Sequence, residues 1–177
     1  MDIRIFAIMR STALRVGLAG AILTALTLPL AAGSVVLGPV TERPLPRYVS
    51  MKADTGNVRR GPGLTHRVDW IFRREDMPLQ ITAEYGNWRR VRDLDGATGW
   101  MHYTLLSGVR TVFVTKDYTP LRMLPDVGSE PNAYAEQGVI ALLKECGVDW
   151  CRINADGNTG WVLKSELWGV DASEIVQ

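Results

Sequence analysis

The chain repeats itself, and the repeat limits its possible folds more than any other feature. Asn57-Val58-Arg59-Arg60-Gly61-Pro62-Gly63 is followed by Trp88-Arg89-Arg90-Val91 and then by Asp95-Gly96-Ala97-Thr98-Gly99-Trp100-Met101. The same three blocks return as Pro120-Leu121-Arg122-Met123-Leu124-Pro125-Asp126, Trp150-Cys151-Arg152-Ile153 and Asp156-Gly157-Asn158-Thr159-Gly160-Trp161-Val162. The offsets are 63, 62 and 61 residues, a drift that single-residue deletions in loops explain. Each copy closes on Leu and Gly, at Leu106 with Gly108 and at Leu167 with Gly169. The chain therefore carries two units of about sixty residues each, too short for a large mixed fold.

Within a unit the hydrophobic period is two. Leu79, Ile81 and Ala83 alternate with Gln80, Thr82 and Glu84, and Val68, Trp70 and Phe72 alternate upstream, as in half-buried strands. Asp95-Gly96 and Asp156-Gly157 supply the turn chemistry of tight hairpins, with Gly86-Asn87 and Gly147-Val148-Asp149 marking the preceding turns. Tyr134–Lys144 would also suit a short amphipathic helix, but its counterpart Pro78–Glu84 alternates, so strand is expected in both. Thr111-Val112-Phe113-Val114, between the units, reads as a further strand. Short strands, a long first loop and no long helix indicate an all-β fold of small, partly open barrels.

V-R-x-G-P-G near the start, W-x-x-V in the middle and D-G-x-x-G-W-[MV] near the end resemble the bacterial SH3-like domain. Arg47–Gly169 looks like a tandem pair of these barrels, at 47–108 and 109–169. The second copy departs where Leu124-Pro125-Asp126 replaces Gly61-Pro62-Gly63, so a differently shaped first loop is expected there. The resemblance implies an exported bacterial protein, a binding or scaffolding role at the cell envelope, and cell-wall peptide or an envelope protein as partner.

The N-terminus agrees with export. Arg4, Arg10 and Arg15 precede the uncharged apolar run Val16–Leu30, and Pro29, Ala31, Ala32, Gly33 and Ser34 follow. This is the order of a secretory signal peptide over 1–32. The uncharged stretch continues to Val40, long enough for an uncleaved membrane anchor instead. Both readings place the rest outside the cytoplasm, in the periplasm or beyond. Pro39, Pro44 and Pro46 mark 33–46 as an extended linker, and 170–177 is left as a tail.

Charge excludes little but excludes it clearly. Twenty Lys plus Arg against nineteen Asp plus Glu give no global basic field, so nucleic-acid binding is not expected. Two His and two Cys leave little material for a structural zinc site, and there is no glycine-rich phosphate loop, Gly61-Pro62-Gly63 being too short and interrupted by proline. Residues 47–108 carry a net charge of +3 and 109–169 one of −2, an asymmetry that solvated surfaces explain. A wall-cutting cysteine peptidase needs a Cys–His pair with an orienting group. Cys146 and Cys151 lie in the second unit while His66 and His102 lie in the first, so no catalytic residues are expected.

Cys146 and Cys151 instead face each other across an expected hairpin, which suits a disulfide, with two reduced core thiols as the other reading. Of the six Trp, Trp100 and Trp161 stand beside Met101 and Val162, and only one of each neighbouring pair can face the core. Met101 and Val162 are the expected core members. Tyr85, Trp88, Trp100 and Tyr103 then line a ligand groove, with Arg59, Arg60, Arg89 and Arg90 around it to attract carboxylates. The other reading of each Trp is packing within a small barrel. A purely structural protein–protein module and a wall hydrolase are the alternative functions.

Overall fold

The computed structural model describes residues 35–177. The expected signal or anchor at 1–32 lies outside the described residues. β1 (Val36–Leu37) and β2 (Pro44–Leu45) pair antiparallel as a small hairpin. The first barrel follows with β3 (Arg47–Met51), β4 (Gly56–Arg59), β5 (Val68–Phe72), β6 (Pro78–Tyr85), β7 (Trp88–Arg92), β8 (Thr98–His102) and β9 (Leu106–Ser107). The second consists of β10 (Thr111–Val114), β11 (Thr119–Arg122), β12 (Pro131–Ala135), β13 (Ile140–Cys146), β14 (Trp150–Ala155), β15 (Asn158–Leu163) and β16 (Leu167–Trp168). The only helical turns among the described residues are two three-residue 3-10 segments, Tyr103–Leu105 and Lys164–Glu166.

The two sheets have one topology. Their strand orders, β5-β4-β8-β7-β6-β3-β9 and β12-β11-β15-β14-β13-β10-β16, match element for element. Each barrel closes over its own apolar core: Met51, Val58, Phe72, Leu79, Ile81, Val91 and Met101 in the first, and a larger set around Val112, Leu121, Leu143, Ile153 and Val162 in the second. The turn chemistry follows the sequence in the second copy; in the first, Gly96 alone has positive φ and the hairpin closes by a longer turn, in which Asp93 N donates to Ala97 O at 3.1 Å. Asp156 and Gly157 both adopt positive φ, the conformation a two-residue hairpin with right-handed twist requires. The glycine before each of Trp100 and Trp161, which are half-buried, has a packing reason instead. A Cβ on Gly99 would meet the Arg59 carbonyl at 2.8 Å, and one on Gly160 would meet Leu121 Cβ at 2.6 Å. Gly99 and Gly160 therefore let β8 and β15 approach β4 and β11 closely enough to close each barrel.

Three expectations need correction. The strand expected over Tyr134–Lys144 is the end of β12 and most of β13, separated by a turn in which Gly138 has φ +81°. Period two fails along β6, because the register shifts between Ile81 and Ala83 and turns Glu84 inward. Trp70 does not share the buried side with Phe72: on the edge strand β5 it is half exposed.

The segments beside the barrels are not free. Within 33–46 the chain forms the β1–β2 hairpin, whose turn wraps the Glu84 carboxylate. Val40 N and Thr41 N donate to Glu84 Oε2 at 3.1 and 2.9 Å, and Thr41 Oγ1 donates to Oε1 at 2.7 Å. Pro39 lies in the turn of this hairpin and Pro44 in β2, paired with Leu37, so the segment is folded back rather than extended. The expected tail pairs with β13, where Cys146 N donates to Val176 O at 2.8 Å and Val176 N to Cys146 O at 3.0 Å.

Candidate binding face

Antiparallel pairing decides which of the expected groove residues meet. Arg59 on β4 is registered with Trp100 on β8, and Trp100 with Arg90 on β7. Directly paired residues share a face, so Arg59, Trp100 and Arg90 form one row across three strands. The neighbouring row is His102, Trp88 and Tyr85. Thus Tyr85, Trp88, Trp100, Arg59 and Arg90 share the outward face of the first barrel. Met101, between Trp100 and His102, is fully buried. The Trp88 and His102 rings meet edge to face at 5.4 Å, and His102 Nδ1 is 2.8 Å from Thr104 Oγ1. Beside them Thr55, Asn57, Arg59, Leu64, Trp88 and His102 line a recess of about 230 Å³.

The guanidinium groups on or near this face differ in how free they are. Arg59 Nη1 donates to Leu64 O at 3.0 Å and His66 O at 2.8 Å, so its charge holds the long first loop against the sheet. Arg60 and Arg67 both pair with Asp69, at 3.2 and 2.7 Å, and Arg60 is a loop brace rather than a groove residue. Those two guanidinium donors hold the Asp69 carboxyl below its usual range. Arg90 is exposed and makes no ion pair among the described residues.

Arg89 does not join the face. It is registered with Met101 and Glu84 and points inward, only 8% exposed. Its Nη1 donates to Gly86 O and Trp88 O at 2.8 and 2.9 Å, and its Nε lies 3.6 Å from Glu84 Oε1. The alternation that buries Met101 dictates this, since neighbours of Trp88 and Arg90 must face the other way. Tyr103 lies past the end of β8 at the border of the face, its ring centre 5.0 Å from that of His102 and 5.9 Å from the Arg89 guanidinium.

Glu84 is the buried charge that sequence reading missed. Arg47 Nη2 donates to its Oε1 at 2.6 Å, and the β1–β2 turn supplies three more donors. Burial alone would raise its pKa, but the Thr41 hydroxyl, the Arg47 guanidinium and the backbone N–H groups of Thr41 and Val40 outweigh it and hold the pKa at about 2. In the second barrel the pair corresponding to Glu84 and Arg89 is Cys146 and Cys151, registered partners joined by a disulfide with Cα atoms 4.0 Å apart. Neither thiol is therefore free to act as a nucleophile.

The second barrel repeats the outer row as Arg122, Trp161 and Arg152. Arg122 Nη1 donates to Ser129 O at 2.6 Å, bracing its first loop as Arg59 does. Arg152 lies 3.3 Å from Glu145. Arg122 and Arg152 stand at repeat-equivalent positions in the sequence, which is the signal that would have identified them.

Comparison with curated proteins finds no match. Among solved structures the chain is similar to NlpC2 and NlpC1 from Trichomonas vaginalis, at 14% identity and a TM-score of 0.33 in each case. The matches cover 72% and 76% of this chain and 51% and 49% of those chains, so the chain spans about half their length. The bacterial SH3 domain model matches twice, over residues 52–108 and 115–169, and the protein belongs to the bacterial SH3 domain family as a tandem pair.

Proposed function

We infer that this protein is an exported, non-catalytic binding module of the bacterial cell envelope that holds carboxylate-bearing wall peptide on the outward face of its first barrel. The observation that carries the reading is the Arg–Trp–Arg row, present in both barrels and bordered in the first by Trp88, His102 and Tyr85. An aromatic platform gives a peptide apolar contact, and a guanidinium beside it selects carboxylates. The first barrel is favoured because Arg90 makes no ion pair among the described residues, whereas its counterpart Arg152 already faces Glu145. A specific observation also supports docking on a protein alone: Arg59 and Arg122 are committed to their own loops, so part of each row is self-satisfied.

Sedimentation with purified peptidoglycan sacculi tests the reading. The parent protein is expected in the pellet at low salt and increasingly in the supernatant as salt screens the guanidinium charge. Absence from the pellet at every salt concentration would leave a protein partner as the ligand. Release of soluble muropeptides in the same tube would overturn the non-catalytic role. The intact mass of protein recovered from the envelope tests export, with a start near Gly33 expected for a cleaved signal and retention of residues 1–32 for an anchor.

A further inference from the structure

The two barrels differ at one equivalent place, and the difference marks a site. In the second barrel Arg110, just before β10, receives a carboxylate from the C-terminal segment. Its Nη1 lies 2.5 Å from Glu174 Oε1 and its Nη2 3.1 Å from Oε2, while Nη2 also donates to Gly169 O at 2.7 Å. The segment is fixed further by Lys164, a buried ammonium at the start of the second 3-10 turn. Lys164 Nζ donates to Ala172 O at 3.2 Å and Glu174 O at 2.8 Å. An acidic stretch of peptide is thus bound there by a bidentate arginine, the strong form of carboxylate recognition.

Arg47 occupies the corresponding position in the first barrel, 63 residues earlier and paired with Ile81 as Arg110 is bonded to Leu143. Among the described residues no acidic segment from outside the barrel reaches it. In its place is an open recess of about 310 Å³ whose lining includes Thr41, Arg43, Arg47, Arg89, Tyr103 and Ser107. Tyr103 opens the first 3-10 turn as Lys164 opens the second. Three guanidinium groups border this recess and no acidic side chain does; the nearest carboxylate, Glu84, accepts only one Arg47 nitrogen at hydrogen-bond distance. The other terminal nitrogen, Arg47 Nη1, is buried without an acceptor among the described residues; in the second barrel Arg110 Nε is left likewise, but both terminal nitrogens of Arg110 have acceptors. Arg43 is exposed and makes no ion pair among the described residues. A buried donor left unsatisfied and an excess of positive charge both favour an incoming anion.

We propose that this recess between the β1–β2 hairpin and the first barrel is a binding site for an acidic segment of a partner polypeptide, whose carboxylate is taken by Arg47 and Arg43. The site lies apart from the outward Trp100 face and does not depend on it. It presents to a partner the arginine that the second barrel presents to Glu174, while the place of Val176 beside Cys146 is taken in the first barrel by the β1–β2 turn on Glu84.

A capped synthetic peptide of residues 169–177, Gly-Val-Asp-Ala-Ser-Glu-Ile-Val-Gln, is the probe, titrated into the full chain by calorimetry. The expected result is saturable binding that falls at least tenfold when the peptide's Glu is replaced by Gln. It should fall comparably in Arg43→Ala, whose exposed side chain makes no hydrogen bond or ion pair among the described residues, and in Arg47→Met, while Trp100→Ala binds as the parent does. Because Arg47→Met also strips Glu84 of a partner, Arg43→Ala decides should Arg47→Met fail to fold. No binding, or binding indifferent to Arg43 and to the peptide's Glu, overturns the proposal. Sodium acetate and inorganic phosphate titrated alone form the third arm. If either occupies the site as tightly as the peptide, the recess reads a free anion and the assignment to a polypeptide segment is wrong.

Discussion

Trp100 and Met101 are adjacent in sequence and opposite in role, and the difference rests on strand alternation. Met101 is fully buried among Met51, Val58 and Val91, whereas Trp100 lies over the sheet between two arginines. Met101→Ala should cost ~2–5 kcal/mol, because the core can only partly collapse around the lost volume. Trp100→Ala should cost clearly less, yet remove most of the retention on sacculi. Urea unfolding alongside the sedimentation assay checks both. A Trp100→Ala protein that unfolds, or that sediments like the parent, makes Trp100 a packing residue. The alternation behind this argument was legible in the sequence, and so in principle was the burial of Arg89, which sits between Trp88 and Arg90. It was missed because a charged side chain reads as exposed until its partner is known. That partner, Glu84, is turned inward by a bulge that leaves no mark on residue type.

Hairpin and tail are the elements that local sequence could not place. Residues 36–45 are proline-marked and read as linker, but what holds them is Glu84, more than forty residues away. Only the folded chain reveals such a contact. Because the folded Glu84 carboxyl is held at about 2, below its ordinary value, it favours the fold while ionised. That contribution is complete above the ordinary carboxylate range and is lost as pH falls through that range toward 2. Thermal unfolding between pH 7 and 2.5 should therefore show a larger loss of Tm for the parent than for Glu84→Gln, which is already weaker at pH 7. Parallel curves for the two proteins would mean that the carboxylate does not pin the hairpin. The disulfide is the matching staple in the second barrel, and here the sequence was sufficient, since the turn places Cys146 opposite Cys151. Its closed loop spans five residues of separation, so replacing both by Ser should cost at the low end of ~2–4 kcal/mol without preventing folding. Denaturant midpoints of the oxidised parent and the double variant measure it.

At the scale of the whole molecule the repeat is more than duplication, because the barrels share buried polar contacts. Ser50 is fully buried on β3, and its one hydroxyl hydrogen is shared between Val109 O at 2.5 Å and Thr111 Oγ1 at 2.7 Å, while Thr111 Oγ1 donates to Asp76 O at 2.6 Å. Around this lock Tyr48 meets Trp168 edge to face at 5.3 Å, and the Arg74 guanidinium lies 5.5 Å from the Phe113 ring centre. A lone barrel of about sixty residues buries only ~60% of its unfolded-chain surface and is marginal by itself. The first barrel has the smaller core, seven buried apolar residues against thirteen, and among the described residues the only disulfide is in the second. It therefore depends more on the shared face. In the parent chain, amides of β7 and β14 should exchange hydrogen with one common opening free energy, as parts of a single cooperative unit. Thr111→Val removes the donor to Asp76 O and the hydroxyl beside Ser50, at ~0.5–1.5 kcal/mol for each hydrogen bond lost. In that variant β7 should exchange faster than β14, the first barrel now opening without the second. If β7 and β14 already open with different free energies in the parent, the barrels are independent domains on one chain and the lock at Ser50 and Thr111 does not couple them.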